Sequence, residues 1–351
     1  MCVAKKQKGT QRRIWLRYGV WCIVVLLVLG TFCIHRFFRT HLQVQNNFFL
    51  HSAPEIANNL DLESFYVAYP HEYHFILDQP ELCKQHNPYI VIIVPVAPHD
   101  VEARNAIRST WANESLVQEG DVLVLFLLGF PSGSDTETQQ ARIHQENLQH
   151  RDLIQSDFID SYRNLTIKTM VMLEWLRDRC PQAFYAAKVD ADMLLNVGAL
   201  MEMLLKSSQY HSNYITGLVW YGNVVIRDPF SKFYVPSDVY PNDVYPPYPL
   251  GMCYIISMDL PAKILDVSRK VRPIFIEDAY IGLCLEQLHI TPTNPPNVAQ
   301  FVVKPPPEYD RCYYSDLIAV TTNNPAQLIS YWVDLHKPGP ACEEPHNTHF
   351  S

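Results

Sequence analysis

Asp190 and Asp192 are the residues of this chain best placed to do chemistry. They stand at i and i+2 in FYAAKVDADMLLN (184–196), directly after an apolar, strand-like run over 184–189 and just before a helix-like segment over 197–206. Open α/β sheets bind ligands beyond the carboxyl ends of their strands, so two carboxylates delivered there face a cleft. Hard oxygen donors suit Mg²⁺ or Mn²⁺, and such an ion suits a diphosphate. A bare D-x-D arises about once by chance in a chain this long, so its weight comes from its position. The competing role is local, an Asp pair capping the following helix.

Elements able to position such a pair are legible on either side. The run YIVIIVPV (89–96) is continuously apolar and β-branched, the pattern of a buried strand, and DVLVLFLLGF (121–130) is a second. Residues 136–150 are polar and helix-like. Leu165, Thr169, Met172, Leu173 and Leu176 recur at helical spacing over 165–179, which ends before Pro181. With 184–189 as a third strand, the alternation predicts an α/β fold with a mostly parallel sheet flanked by helices. Residues 228–249 are dense in Pro, Tyr and Asp and read as loop, whereas 260–268 and 279–288 read as helices.

The N-terminus predicts the compartment. Tyr18 to Ile34 carries no charge, long enough for a short membrane-spanning helix. Lys5, Lys6, Lys8, Arg12, Arg13 and Arg17 precede it, against only Arg36 and Arg39 just after it. The positive-inside rule keeps the N-terminus cytosolic and places the bulk of the chain on the far side. A cleaved signal peptide is the alternative, but no small-x-small cleavage site follows the run. The expected organisation is a cytoplasmic tail (1–17), a transmembrane anchor (18–38), a stem (39–79), one globular domain (80–337) and a Pro-rich tail (338–351).

Charge and cysteine usage agree. Beyond residue 39 there are 20 basic and 36 acidic residues, which excludes a basic nucleic-acid footprint. Six of the nine cysteines follow the anchor: Cys83, Cys180, Cys253, Cys284, Cys312 and Cys342. An even number in a secretory compartment predicts disulfides, with the pairing left open. Asn113-Glu-Ser and Asn164-Leu-Thr are sequons for glycans on a lumenal domain.

Several segments together resemble the β-1,3-galactosyltransferase family of Golgi enzymes, which includes β-1,3-N-acetylglucosaminyltransferases. They are RNAIRSTW (104–111), FIDSYRNLTIKT (158–169), KVDAD (188–192), SKFYVP (231–236), YPPY (245–248) and EDAYIG (277–282), in the family's order. The resemblance implies a GT-A fold, a UDP-sugar donor, Mn²⁺ as cofactor, inversion at the sugar carbon and type II Golgi topology. The acceptor is then a glycan on a glycoprotein or glycolipid, and the membrane partner is the N-terminal helix.

On that resemblance Asp190 and Asp192 hold the metal, Asp278 is the general base and Glu277 supports it or orients the acceptor. The alternative for both acids of the later pair is helix initiation, since carboxylates are favourable at the positive end of a helix. Arg104 and Arg108 suit phosphate oxygens as guanidinium forks, or surface ion pairs. Lys188 stands beside the acidic pair as a substrate contact or a structural salt bridge. Trp111 reads as core. Trp220, Tyr234, Tyr240, Tyr245 and Tyr248 offer flat amphipathic faces suited to sugar rings, with Trp220 and Tyr248 the chosen contacts.

The chain departs from the family pattern at three places. Ala191 replaces the middle one of three acids. Pro249-Leu-Gly-Met-Cys253 replaces a Gly-rich loop and keeps only Gly251. Thr321 stands where the family commonly carries a His, ahead of a final helix marked by Pro325 and Trp332. UDP-galactose is the expected donor, UDP-N-acetylglucosamine is its alternative on the same scaffold, and an inactive lumenal binding homologue is a third reading.

Overall fold

The computed structural model describes residues 65–113, 121–206 and 212–342. The expected cytoplasmic tail, the anchor and the stem as far as residue 64 lie outside the described residues, and among the described residues no helix is long and apolar enough to cross a membrane. The compact unit includes the described part of the stem, from Phe65 onward. The reason is apolar: Phe65 and Val67 are buried, and strand β1 (Phe75–Leu77) pairs with β4 (Leu153–Ile159).

The core is a seven-stranded sheet in the order β1-β4-β3-β2-β5-β8-β7, with β2 Ile90–Pro95, β3 Val122–Phe130, β4 Leu153–Ile159, β5 Tyr185–Val189, β7 Ile215–Trp220 and β8 Tyr248–Ser257. The pairs β2–β3, β3–β4 and β2–β5 are parallel; β1–β4, β5–β8 and β7–β8 are antiparallel. The sheet is therefore evenly mixed, not mostly parallel as the sequence pattern suggested. Helical crossovers produce the parallel half: α2 (Val101–Arg108), α3 (Thr136–His150) and α4 (Leu165–Arg179) each follow a strand. Strands β7 and β8 are joined by residues 221–247 with no helix between them, and a chain that returns without a crossover pairs antiparallel.

Burial explains the sequence patterns. Ile90 to Val94 are all fully buried in the middle of the sheet, hence the unbroken apolar run. Helix α4 buries ten residues, Thr166 to Leu173 together with Trp175 and Leu176, so it shows no clean stripe. Helix α3 buries only Ile143 and is polar throughout. Helix α1 is the short Leu82–His86, held by the Cys83–Cys180 disulfide.

A second sheet, β6-β10-β9 (Met193–Leu195, Ala319–Thr321, Phe301–Val302), sits directly after the acidic pair. Helix α5 (Val197–Lys206) follows β6, and α6 (Leu260–Ser268), α7 (Glu277–Gln287), α8 (Arg311–Ser315) and α9 (Pro325–Leu335) complete the described elements. Pro325 opens α9, and the Asn324 side chain caps it by accepting from the Gln327 N–H at 2.9 Å. Cys312 pairs with Cys342 and staples the start of the Pro-rich tail. Cys253 and Cys284 stay as buried thiols, so four of the six expected cysteines form bridges.

Candidate active site

The site assembles where three elements converge. Strand β5 ends at Val189, and Lys188, Asp190 and Asp192 follow from its register. Strand β8 runs antiparallel beside it, with Lys188 opposite Tyr254 and Val189 opposite Cys253. Helix α7 then points its first turn, Glu277 and Asp278, at the same place. This is also where the strand order changes direction, because β2 lies between β3 and β5, a topological switch point of the kind that opens a ligand crevice.

Lys188 is the hub. Its ammonium donates to Asp190 Oδ1 at 2.6 Å, to Glu277 Oε1 at 2.9 Å and to the Gly251 carbonyl. Burial works against that charge, but the carboxylates of Asp190 and Glu277 outweigh it and hold the ammonium well above its ordinary value. The other oxygen of Glu277 accepts from Thr169 Oγ1 at 3.1 Å and from the Tyr254 hydroxyl at 3.5 Å. Lys188 is therefore a structural clamp joining the end of β5 to the start of α7.

Asp278 is held by backbone. Its Oδ2 accepts from the Gly251 N–H at 2.9 Å and its Oδ1 from the Ala279 N–H at 2.8 Å. Burial lifts this carboxyl above its ordinary value even though those two donors and Lys188 pull it down. Gly251 thus serves both halves of the site, its N–H on Asp278 and its C=O on Lys188. A Cβ at that position would lie 2.7 Å from Glu277 Oε1, which explains why glycine is kept there.

Asp192 points to solvent, with its main chain fixed from β10: Thr322 donates both its N–H (2.7 Å) and its hydroxyl (2.9 Å) to the Asp192 carbonyl. Partial loss of hydration, and then the nearby charge of Asp190, lift the Asp192 carboxyl above its ordinary value. Thr321 does lie at the acidic motif, opposite Met193, but offers only a hydroxyl near the Met193 sulfur. Trp111 is core as expected, fully buried with its indole N–H on the Met193 carbonyl at 2.9 Å.

Arg104 and Arg108 are placed differently from their substrate-binding expectation. Arg104 is 1% exposed; it donates to Glu146 at 2.7 and 2.6 Å and to the carbonyls of Ala97 and Pro98. Arg108 donates to Asp152 at 2.7 and 2.8 Å and pairs with Glu146 at 2.7 Å. Both forks tie α2 to α3 and the start of β4, and neither bonds to the Lys188 cluster. The physical reason is α3, whose polar face leaves Glu146 as the nearest carboxylate for two cations.

On the other side, Trp220 and Tyr248 are cross-strand partners with ring centroids 6.3 Å apart. Trp220 keeps an exposed face, whereas Tyr248 is buried and its hydroxyl accepts from Asn223 Nδ2. Tyr240 and Tyr245 are likewise buried. Asn113 is exposed, while its sequon serine lies outside the described residues. Asn164 donates to the Ile159 carbonyl at 2.8 Å, and Thr166 of the same sequon is fully buried on the Ile274 carbonyl.

The residues that sequence reasoning passed over line the adjoining cavity. About 500 Å³ opens beyond β2, β3 and β4, lined by Val96, His99, Ser132, Asp160, Tyr162 and Lys168. Lys168, buried, bridges Asp160 (2.6 Å) to the Val96 carbonyl (2.8 Å) and so ties two strand ends together. Tyr162 is half-exposed and lines this cavity; burial chiefly, and then the charge of Asp278, raise its hydroxyl above the ordinary value. Its signal was in the sequence, in the FIDSYRNLTIKT run, but a lone Tyr before a helix has no pattern of its own. A second, larger cleft of about 570 Å³ lies along β6 and α5, lined by Leu194, Met201, Trp332 and Leu335 among others, and Asp190, Asp192, Glu277 and Asp278 themselves line neither cavity.

A galactosyltransferase family model matches residues 102–296, a stretch that contains the whole cluster. The chain belongs to the galactosyltransferase family. It is 39% identical over 275 residues to beta-1,3-galactosyltransferase 2 of Homo sapiens, covering 77% of this chain and 64% of that protein, so it spans just under two thirds of that relative's length. With beta-1,3-galactosyltransferase 5 of Homo sapiens it shares 35% identity over 319 residues, covering 89% of this chain and 93% of that protein. Among solved structures, the WbbM bifunctional glycosyltransferase aligns at 9% identity over 71% of this chain and 50% of that chain with a TM-score of 0.40, a likeness too slight to bear on the fold.

Proposed function

We propose that this galactosyltransferase-family protein transfers galactose from UDP-galactose to an acceptor sugar in β-1,3 linkage, with inversion, on a GT-A-type scaffold. The observation that carries the reading is a charge imbalance. One ammonium, Lys188, faces four carboxylates, Asp190, Asp192, Glu277 and Asp278, at a switch point beside a cavity of about 500 Å³. Two acids carry no metal site alone, and among the described residues no group of three or more His, Cys, Asp or Glu surrounds a vacant cation position. Asp190 and Asp192 would supply two hard carboxylate donors to a divalent cation, which suits a site shared with a substrate rather than a closed protein cage. Mn²⁺ bound by this pair would offset negative charge developing on the departing diphosphate.

The chain's own groups do the rest. The acceptor hydroxyl attacks the sugar C1 from the face opposite the diphosphate. As that C–O bond forms and the C1–O bond to UDP breaks, the hydroxyl proton passes to Asp278. The Gly251 and Ala279 N–H groups fix the Asp278 carboxylate in one orientation, and burial raises its proton affinity, which suits a base. Lys188 holds Asp190 and Glu277 at fixed separation, so the metal-binding acid and the helix carrying the base move as one body. Tyr162 and the strand-end cavity would receive the nucleotide, and the exposed face of Trp220 the acceptor ring. The N-terminal anchor, Golgi location, lumenal orientation and glycans at Asn113 and Asn164 belong to the same proposal.

UDP release from UDP-galactose and from UDP-N-acetylglucosamine, each with and without Mn²⁺ and in the presence of a panel of benzyl glycosides, tests this reading. Faster turnover of UDP-galactose, dependence on Mn²⁺ and a β-1,3-linked product by NMR are expected. Turnover of UDP-N-acetylglucosamine alone would move the donor assignment, and absence of turnover with either donor would overturn the enzymatic reading.

A further inference from the structure

Arg163 is a charge held without a counter-charge. Its guanidinium rests against two buried aromatic rings, 4.3 Å from the centroid of Phe65 and 4.4 Å from that of Phe275. Phe65 is braced in turn by Tyr234, edge-on at 5.5 Å. A second cation stands close by. The Lys232 ammonium lies 4.8 Å from the Phe233 ring and 5.9 Å from the Tyr162 ring, so the two cations flank Tyr162, one next to it in the chain and one over its ring. A turn places Lys232: the Tyr234 N–H donates to the Ser231 carbonyl at 3.0 Å and the Phe233 N–H to the Ser231 hydroxyl at 3.2 Å. Among the described residues neither cation has an ion-pair or hydrogen-bond partner.

Other arginines of this chain are treated differently. Arg104, Arg108 and Arg179 each meet a carboxylate. At Arg108 burial is outweighed by Asp152 and Glu146, which raise the guanidinium above its ordinary value; at Arg163 burial pulls it below. Acids are not scarce, since beyond residue 39 they outnumber bases 36 to 20. Ring faces steady a cation without using up its N–H donors, so the Arg163 fork and the Lys232 ammonium keep theirs for an oxyanion. Both residues are exposed, so a ligand reaches them from solvent.

The pair borders the carboxylate site. Tyr162 lines the strand-end cavity, and its hydroxyl is raised by burial first and then by the charge of Asp278. Phe275 stands three residues ahead of Asp278 in the chain. The Ile274 carbonyl before it accepts from Thr166 Oγ1 at 2.6 Å, which ties the start of α4 to the approach to α7.

We propose that Arg163 and Lys232 form an oxyanion site, and that the acceptor is an acidic sugar presenting a sulfate or carboxylate to this pair while its attacking hydroxyl faces Asp278. This rests on the glycosyl-transfer reading of the Asp278 site. The donor diphosphate is the other oxyanion at hand. On the same reading a cation at Asp190 and Asp192 meets its charge, whereas Arg163 packs on the approach to the base.

The test uses the full chain and UDP-galactose. It compares the best neutral benzyl glycoside with its monosulfates, one for each hydroxyl other than the attacked one. In the wild type at least one monosulfate should exceed the neutral parent about tenfold in kcat/KM, the worth of a charge-assisted hydrogen bond. That preference should shrink as salt is raised. Arg163→Gln and Lys232→Gln should each cut it at least about threefold. Arg163 supports two buried rings, so Lys232→Gln decides the matter should Arg163→Gln fail to fold. The proposal is overturned by a wild type that prefers no monosulfate, or by a preference that survives in either folded variant. A raised KM for UDP-galactose with equal losses on neutral and sulfated acceptors would assign the cations to the diphosphate, and overturns it too. A wild type that transfers to no acceptor, neutral or sulfated, would remove the activity beneath, a failure visible before any variant is made.

Discussion

Two charged clusters in this molecule both set basic side chains against Asp and Glu, and they end in opposite states. At the α2–α3 junction, Arg104 and Arg108 meet Glu146 and Asp152, two cations against two carboxylates, all with side chains less than a fifth exposed. Every charge there has an opposite neighbour, and burial against the Glu146 carboxyl is outweighed by Arg104 and Arg108, which hold it below its ordinary value. At the β5–α7 junction, Lys188 alone faces Asp190, Asp192, Glu277 and Asp278. There, burial lifts Asp278, and the Asp190 charge adds to the lift on Asp192. A closed, neutral cluster fastens elements together; an open cluster with excess negative charge is incomplete until a cation and a substrate arrive. Charge balance, rather than the presence of charge, separates scaffold from site.

The comparison breaks most sharply at Asp278. Asp278→Asn preserves shape and can still accept from Gly251, so the fold should persist while kcat falls on the order of 10²- to 10⁴-fold. A loss under tenfold would return Asp278 to the role of helix initiator. In the neutral cluster the effect should reverse, with stability lost and catalysis kept. Glu146→Ala strands a fully buried Arg104 and should cost about 3–5 kcal/mol of unfolding free energy by denaturant titration. KM for UDP-galactose should stay near wild type; a selective rise without loss of stability would restore Arg104 and Arg108 to the donor site.

Gly251→Ala sharpens the boundary between the two behaviours, because its Cβ meets Glu277 Oε1 at 2.7 Å. Overpacking of this kind costs about 1–3 kcal/mol, and kcat should drop with it as Asp278 and Lys188 are displaced together. Alanine tolerated with full kcat would mean that neither contact matters. The smallest effect is in pH. A base must be ionised, and burial raises the Asp278 proton affinity, so activity should fall as pH drops through a value above that of an ordinary aspartate. The acid limb of the kcat/KM profile measures this, and a flat profile down to ordinary aspartate pKa values would contradict it.

Much of the frame was legible because burial writes itself into periodicity. The run at 89–96 had to be a central strand, and helices at 136–150, 165–179, 197–206 and 260–268 fall where spacing and breakers put them. The antiparallel half was not legible. Strand β8 begins inside a Pro- and Tyr-rich stretch, and its register with β5 depends on partners 60 or more residues away. Lys188, Asp190 and Asp192 were visible as a local spacing. Their union with Glu277, Asp278 and Gly251 is tertiary, and so is the diversion of Arg104 and Arg108 to Glu146, which nothing in RNAIRSTW announces. Thr322 acts on a main-chain carbonyl, and Lys168 on a carbonyl together with the Asp160 carboxylate, roles that leave no motif.

The central claim is that the excess negative charge at the end of β5 exists to be met by a divalent cation together with a diphosphate. Titration calorimetry of UDP into the purified protein, with and without Mn²⁺, tests it most directly. UDP affinity should rise at least about tenfold with Mn²⁺ in the wild type, a coupling of ~1.4 kcal/mol, and Asp190→Asn/Asp192→Asn should abolish the gain. UDP binding of equal strength with and without Mn²⁺, or a gain that survives both substitutions, would contradict the account.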